Sequence, residues 1–255
     1  MNPYARVSFW VVALLLSFEF ALAISHISIM TIFSGHDILE ELFDVGYESN
    51  VPTWFSSVQF LLLGLICGSI FLFQRSLYPE KKFTFVWLSC VLGSVFLSLD
   101  EVAMIHESVG TLFERYLEAN ETPLIEKSIA SFNSYYWALV YVPIVIPIAI
   151  WLGWFFWKEL GKYRYFPIIG MTVFLLGAVG VDFLEGAYSD VDEEHITGFA
   201  RLIVVDMDSY LIEEMMEMVG VTLALMGCLF LSAELFPRYL DNLVMKRDHS
   251  SKSEG

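Results

Sequence analysis

The sequence predicts an all-α polytopic membrane protein, a bundle of six transmembrane helices with both termini in the cytoplasm and short surface helices in the outer loops. Three observations predict it. The chain of 255 residues is 56% hydrophobic and 16% aromatic, with a mean hydropathy of +0.61, above the roughly 45–50% apolar content of soluble domains. Six apolar runs, 7–33, 54–74, 83–107, 135–157, 166–188 and 209–236, reach the ~20 residues that cross a hydrocarbon core about 30 Å thick. The basic residues then sort by side. Arg6, Arg75, Lys81, Lys82, Lys158, Lys162, Arg164, Arg238, Lys246, Arg247 and Lys252 share one face of an alternating six-span arrangement, and only Arg115, Lys127 and Arg201 share the other. By the positive-inside rule the first face is cytoplasmic. The expected location is a bacterial inner (plasma) membrane.

The first run resembles a signal peptide in its opening: Arg6, an apolar stretch, then Ala21-Leu-Ala23. Its apolar character continues to Phe33 and Glu19 interrupts it, so it reads as an uncleaved anchor. The segment 34–53 carries Asp37, Glu40, Glu41, Asp44 and Glu48, while Ile38, Leu39, Leu42 and Phe43 recur at helical spacing. That pattern predicts a short helix on the outer membrane surface, starting near Ser34 and stopping near Gly46. The second and fourth runs contain no charge, and Pro143 and Pro147 predict a kinked fourth helix. Gly170, Gly177 and Gly180 predict close packing of the fifth.

The loop 108–134 holds Glu114, Glu118, Glu121 and Glu126, with Thr122-Pro123 as a cap and first turn of another short helix. Asp190-Val-Asp-Glu-Glu-His195 adds to the outer acids. Residues 1–237 thus form one transmembrane domain, and 238–255 a polar cytoplasmic tail expected to be disordered.

Thirty acidic residues against 14 basic give a net charge of -16. Half of the acids fall in the outer loops, where they read as a solvated rim, but three groups fall inside apolar runs. These are Ser98-Leu-Asp-Glu-Val-Ala-Met-Ile-His-Glu107, Asp182-Phe-Leu-Glu185 and Glu213-Glu-Met-Met-Glu217. Charge at such depth costs several kcal/mol unless paired, hydrated or metal-bound. At 1.5 Å per residue, Asp100, Asp182 and Glu217 each lie about 24–28 Å from the cytoplasmic boundary of their run, and His26 reaches a similar height. Glu213, Glu214 and Glu217 share one helical face, as do Asp182 with Glu185 and Asp100 with Glu107. Glu101 and His106 flank the Asp100–Glu107 line on opposite sides, so either one faces away or the helix loosens near Met104.

Several carboxylates a few ångströms apart cannot all stay ionised without protons or a shared cation. The sequence therefore predicts a carboxylate-rich site for one or two divalent metal ions near the outer face, with Asp100, Glu107, Asp182, Glu185, Glu213, Glu214, Glu217 and His26 as ligands. His106 and Glu101 are the candidate catalytic proton carriers. Carboxylate with occasional imidazole suits iron, zinc, manganese or calcium. Ferritin-like bundles build di-iron centres from carboxylates on several helices, but here Asp182-x-x-Glu185 and Glu214-x-x-Glu217 stand where those carry Glu-x-x-His.

The expected activity is a metal-dependent membrane hydrolase or oxidase acting on a lipid or other apolar small molecule. The competing readings are a cation- or proton-coupled transporter and a non-catalytic accessory subunit. Membrane lipids are the expected surroundings; no P-loop, Rossmann fingerprint or basic groove points to nucleotides or nucleic acid. Cys67, Cys90 and Cys228, scattered among apolar runs, read as packing residues.

Overall fold

The computed structural model describes residues 3–47, 49–119, 136–188, 191–192 and 195–253, without the side chains of Glu118, Asp182, Gly186, Asp206 and 247–253. The described residues are helical and contain no strand. Six helices are long and apolar enough to span a membrane: Pro3–Thr31, Val51–Leu77, Lys82–Ala103, Tyr136–Glu159, Gly161–Glu185 and Ser209–Lys246. They are called spans 1 to 6. The end holding Lys81, Lys162 and Arg238 is the basic end, and the opposite end, holding His26, Asp100 and Asp208, is the acidic end.

Span 6 is the axis of the bundle. It packs against spans 1, 2 and 5, while span 3 packs on span 2 and span 4 on span 5. In the most apolar 18-residue stretch of each helix, 50% of span 6 is buried against 11% of span 4, so span 4 is peripheral. The reason for the tight contact with span 5 is glycine. A Cβ on Gly170 would lie 2.4 Å from the Gly220 carbonyl oxygen, and one on Gly220 2.7 Å from the Gly170 carbonyl oxygen. Only hydrogen fits there. Seven residues along span 5 from Gly170 is Gly177, whose absent Cβ would meet Glu213 O at 2.9 Å, seven residues back along span 6. In the other direction Gly227 faces Tyr163 O and Pro167. This heptad register is close antiparallel packing through small residues, which holds helices together in lipid where no hydrophobic force acts between them.

Span 1 buries Ser8, Val12, Leu15, Glu19, Leu22, His26 and Ile29. That alternating spacing of three and four is a coiled-coil seam, so Glu19 and His26 sit on the face that meets the bundle. The core has two parts. Toward the acidic side, Leu15, Leu22, Phe55, Phe60, Met218, Val221 and Leu225 interlock. Toward the basic end, Trp87, Phe155, Phe156, Ile70 and Leu160 surround Cys67, Cys90 and Cys228, all three reduced and buried. The basic end is closed by Lys81–Glu159 at 2.5 Å and by Glu234 pairing with Lys162 (3.1 Å) and Arg238 (3.2 Å).

Two boundaries differ from the sequence expectation. The third helix does not continue to Glu107. It ends at Ala103, Met104 takes a left-handed conformation (φ 48°), and a new helix runs Ile105–Ala119. The helix does loosen at Met104. The sixth helix does not stop near Phe236; it runs Ser209–Ser253 with Pro237 inside it. Residues 238–253 are therefore helical, held in part by Asn242 Nδ2 donating to Ser76 O (3.1 Å) and by Phe73 against Phe236 and Tyr239. The short surface helix forms at Asp37–Phe43; that expected at Thr122-Pro123 lies outside the described residues.

Candidate functional site

Spans 5 and 6 both become irregular at the acidic end. A π-helical stretch, Leu176–Val181, leads directly into Asp182–Tyr188. A second, Leu202–Asp206, follows the short helix Gly198–Arg201 and precedes span 6. Segments 182–188 and 202–206 pack against each other. Wide π turns often occur at functional positions in helices. Gly177 lets Glu217 approach span 5: its absent Cβ would be 3.3 Å from Glu217 Cγ and 3.0 Å from Met216 Cβ. Glu213, Glu214, Glu217 and Glu185 are half-buried. Asp182 begins five residues beyond Gly177, about 7 Å further toward the acidic end.

His26 is a second station. It is 2% exposed, and both ring nitrogens are engaged. Val45 N–H donates to Nδ1 (3.3 Å) and Nε2 lies 2.7 Å from Asp208 Oδ2. A backbone N–H can donate only to an unprotonated nitrogen, so the Nε2–H tautomer fits this pattern and donates to Asp208. Asp44 Oδ1 faces Nδ1 at 3.4 Å. Asp44 also accepts from Gly46 N–H through Oδ1, and from Asn50 Nδ2 through its carbonyl oxygen. Asn50 Oδ1 in turn caps span 2 at Thr53 N (3.0 Å). Asp208 Oδ1 accepts from Leu211 N–H (3.2 Å), satisfying a donor in the first turn of span 6. His26 thus ties span 1 to the 44–50 turn and to the start of span 6, and neither nitrogen is left for a metal ion.

Asp100 and His106 form the third station. Across the Met104 break, Asp100 Oδ1 accepts from His106 N–H (2.9 Å) and Oδ2 meets His106 Nδ1 (2.8 Å). The carboxylate caps the helix that starts at Ile105, where a negative charge is favoured by the exposed N–H groups. The His106 ring packs edge-on against Trp137 at the start of span 4, 5.2 Å between centroids. Glu101 is half-buried, and Glu107 is exposed on the Ile105–Ala119 helix.

The sequence-predicted residues therefore lie toward the acidic end, and hydrogen bonds hold His26 and Asp100 at separate stations. His26 joins Asp44 and Asp208, Asp100 joins His106, and Glu213 and Glu217 lie along span 5. Among the described residues no group of three or more His, Cys, Asp or Glu side chains is disposed to hold a metal ion.

A fourth polar site lies halfway along the bundle. Gln59 Nε2 donates to Glu19 Oε1 (2.8 Å), to Thr222 Oγ1 (2.8 Å) and toward Met218 O (3.3 Å). Thr222 Oγ1 donates to the same Glu19 Oε1. Glu19 is 1% exposed, and Gln59 and Thr222 are 0% exposed. Of this group only Glu19 stands out in the sequence as a charge. Gln59 and Thr222 are uncharged residues in apolar runs, and their one signal is a polar side chain within such a run.

Fold and sites together define the class: a multi-pass integral membrane protein with a polar acidic end and one deep polar cluster. Within that class, residues 7–232 match the model of the family described as Domain of unknown function (DUF8692), and the chain belongs to that family. No curated protein and no solved structure matches it.

Proposed function

We propose that the protein lies in a plasma membrane with its basic end in the cytoplasm, and that the acidic ends of spans 5 and 6 bind a divalent metal ion. The orientation rests on the distribution of Lys and Arg. The metal reading narrows to Asp182, Glu185, Glu213, Glu214 and Glu217, because His26 and Asp100 are committed to fixing helix ends and Glu107 faces outward. One observation carries it: the Gly177 contact seats Glu213 and Glu217 against span 5, about a turn and a half inward of Asp182. Oxygen-rich sites of this kind suit calcium, manganese or iron. A bound ion there would have apolar helix faces around it, so a lipid or other apolar molecule is the substrate class that reaches it from the bilayer.

The test is metal content. Detergent-purified protein, equilibrated with each ion and desalted, is expected to retain stoichiometric metal, and Glu217→Gln and Asp182→Asn to lose it while keeping the fold. Metal-free wild-type protein, or metal retained in both variants, would overturn the assignment.

A further inference from the structure

We propose that Glu19, Gln59 and Thr222 form a proton-binding site at the centre of the bundle, with one proton held between Glu19 Oε2 and Gln59 Oε1. This goes beyond the metal site and does not rest on it: the two share span 6 only, and Glu19 and Gln59 belong to spans 1 and 2.

Donors and acceptors around Glu19 do not balance. Glu19 Oε1 receives two hydrogen bonds, from Gln59 Nε2 and Thr222 Oγ1. The other oxygen of the same carboxyl, Oε2, is buried and has no partner, and neither has Gln59 Oε1. The amide orientation is set by Met218 O, which can only accept and faces Nε2. With an ionised Glu19, two acceptors stand bare in an apolar interior, where unpaired polar groups are strongly disfavoured. One proton on Oε2 resolves both. The carboxylic acid then meets the carboxamide head to head: Nε2–H donates to Glu19 Oε1, and Oε2–H donates to Gln59 Oε1. Two orphan acceptors become a donor and its acceptor.

The surroundings agree. No ion pair among the described residues involves Glu19, and the side chains in hydrogen-bond contact with it, Gln59 of span 2 and Thr222 of span 6, do not titrate. Glu19 lies about 18 Å along span 1 from either Val7 or Thr31, out of reach of both aqueous faces. The proton leaves only when span 1 parts from spans 2 and 6.

Infrared difference spectroscopy of wild type against Glu19→Gln tests this. The expected result is a carboxylic-acid C=O band in the wild type, absent from the variant, that shifts slowly on transfer to D2O. Glu19→Gln retains a head-to-head amide pair and so keeps the wild-type unfolding midpoint, whereas Glu19→Ala and Gln59→Leu lower it. Should Glu19→Gln not fold, Thr222→Val serves instead: removing one donor onto Oε1 moves the acid band to higher frequency. Carboxylate bands lost in place of an acid band, or an acid band unmoved in Thr222→Val, would overturn the proposal.

Discussion

Replacing Gly170 by alanine puts a methyl group where the structure leaves no room. Its Cβ would stand 2.4 Å from Gly220 O, 2.7 Å from Ala224 N and 3.0 Å from Leu223 Cβ, and the first two are backbone atoms that cannot rotate away. Ordinary contact begins at 3.4 Å. Spans 5 and 6 must therefore separate by about 1 Å at this point, and a gap of 0.5–1 Å forfeits a quarter to a half of each dispersion contact. Overpacking of this kind costs about 1–3 kcal/mol. For a chain of this length each kcal/mol lowers the melting temperature by about 2–4 °C, so a drop of about 2–12 °C is expected. Gly93→Ala is the control, because nothing lies within 4 Å of its Cβ position; its better helix propensity makes it neutral or stabilising by up to ~1 kcal/mol. Thermal unfolding of the purified proteins in one detergent makes the comparison. Equal midpoints for the two variants would refute the backbone-contact argument.

Two further outcomes are expected. His26→Ala removes the acceptor of Val45 N–H and the partner of Asp208; a cost of about 2–4 kcal/mol follows from the lost packing and bonds. Hydrogen exchange is expected to rise in 37–50 and in the first turn of span 6, and unchanged exchange there would contradict the role given to His26. For orientation, Glu41→Cys is expected to react with a membrane-impermeant maleimide in intact cells, and Glu80→Cys only after lysis. The three native cysteines are buried and contribute little background, and the reverse labelling pattern would invert the assigned sides.

The spans were legible in the sequence because lipid obliges each backbone segment to satisfy its own hydrogen bonds, so hydropathy and length suffice. The break at Met104 was half legible: a regular helix could not reconcile Glu101 and His106 with the Asp100–Glu107 face, but a side chain facing away would have met the same pattern, and the apolar run continued to Glu107. Azimuth and neighbour were not. Depth placed His26 beside Asp100 and Glu217 in height, yet its partners are Asp44 and Asp208, one from a loop and one from the turn before span 6. Gln59 escaped notice because an amide in an apolar run carries no charge, and only its meeting with Glu19 across two helices gives it weight. The cysteines looked scattered along the chain and occupy one core, as residues from spans 2, 3 and 6 can. The helix through 238–253 was hidden by its polar composition, which ignores the contacts of Asn242 and Tyr239 with the end of span 2.

Because span 6, the axis of the bundle, follows the other five spans along the chain, assembly has an order imposed on it. During synthesis spans 1 to 5 enter the bilayer first and wait, with Glu19 and Gln59 lacking Thr222 and Gly170 facing lipid in place of Gly220. Only the arrival of the C-terminal helix completes these contacts. A chain halted before Ser209 would carry five spans and lack the one that joins them.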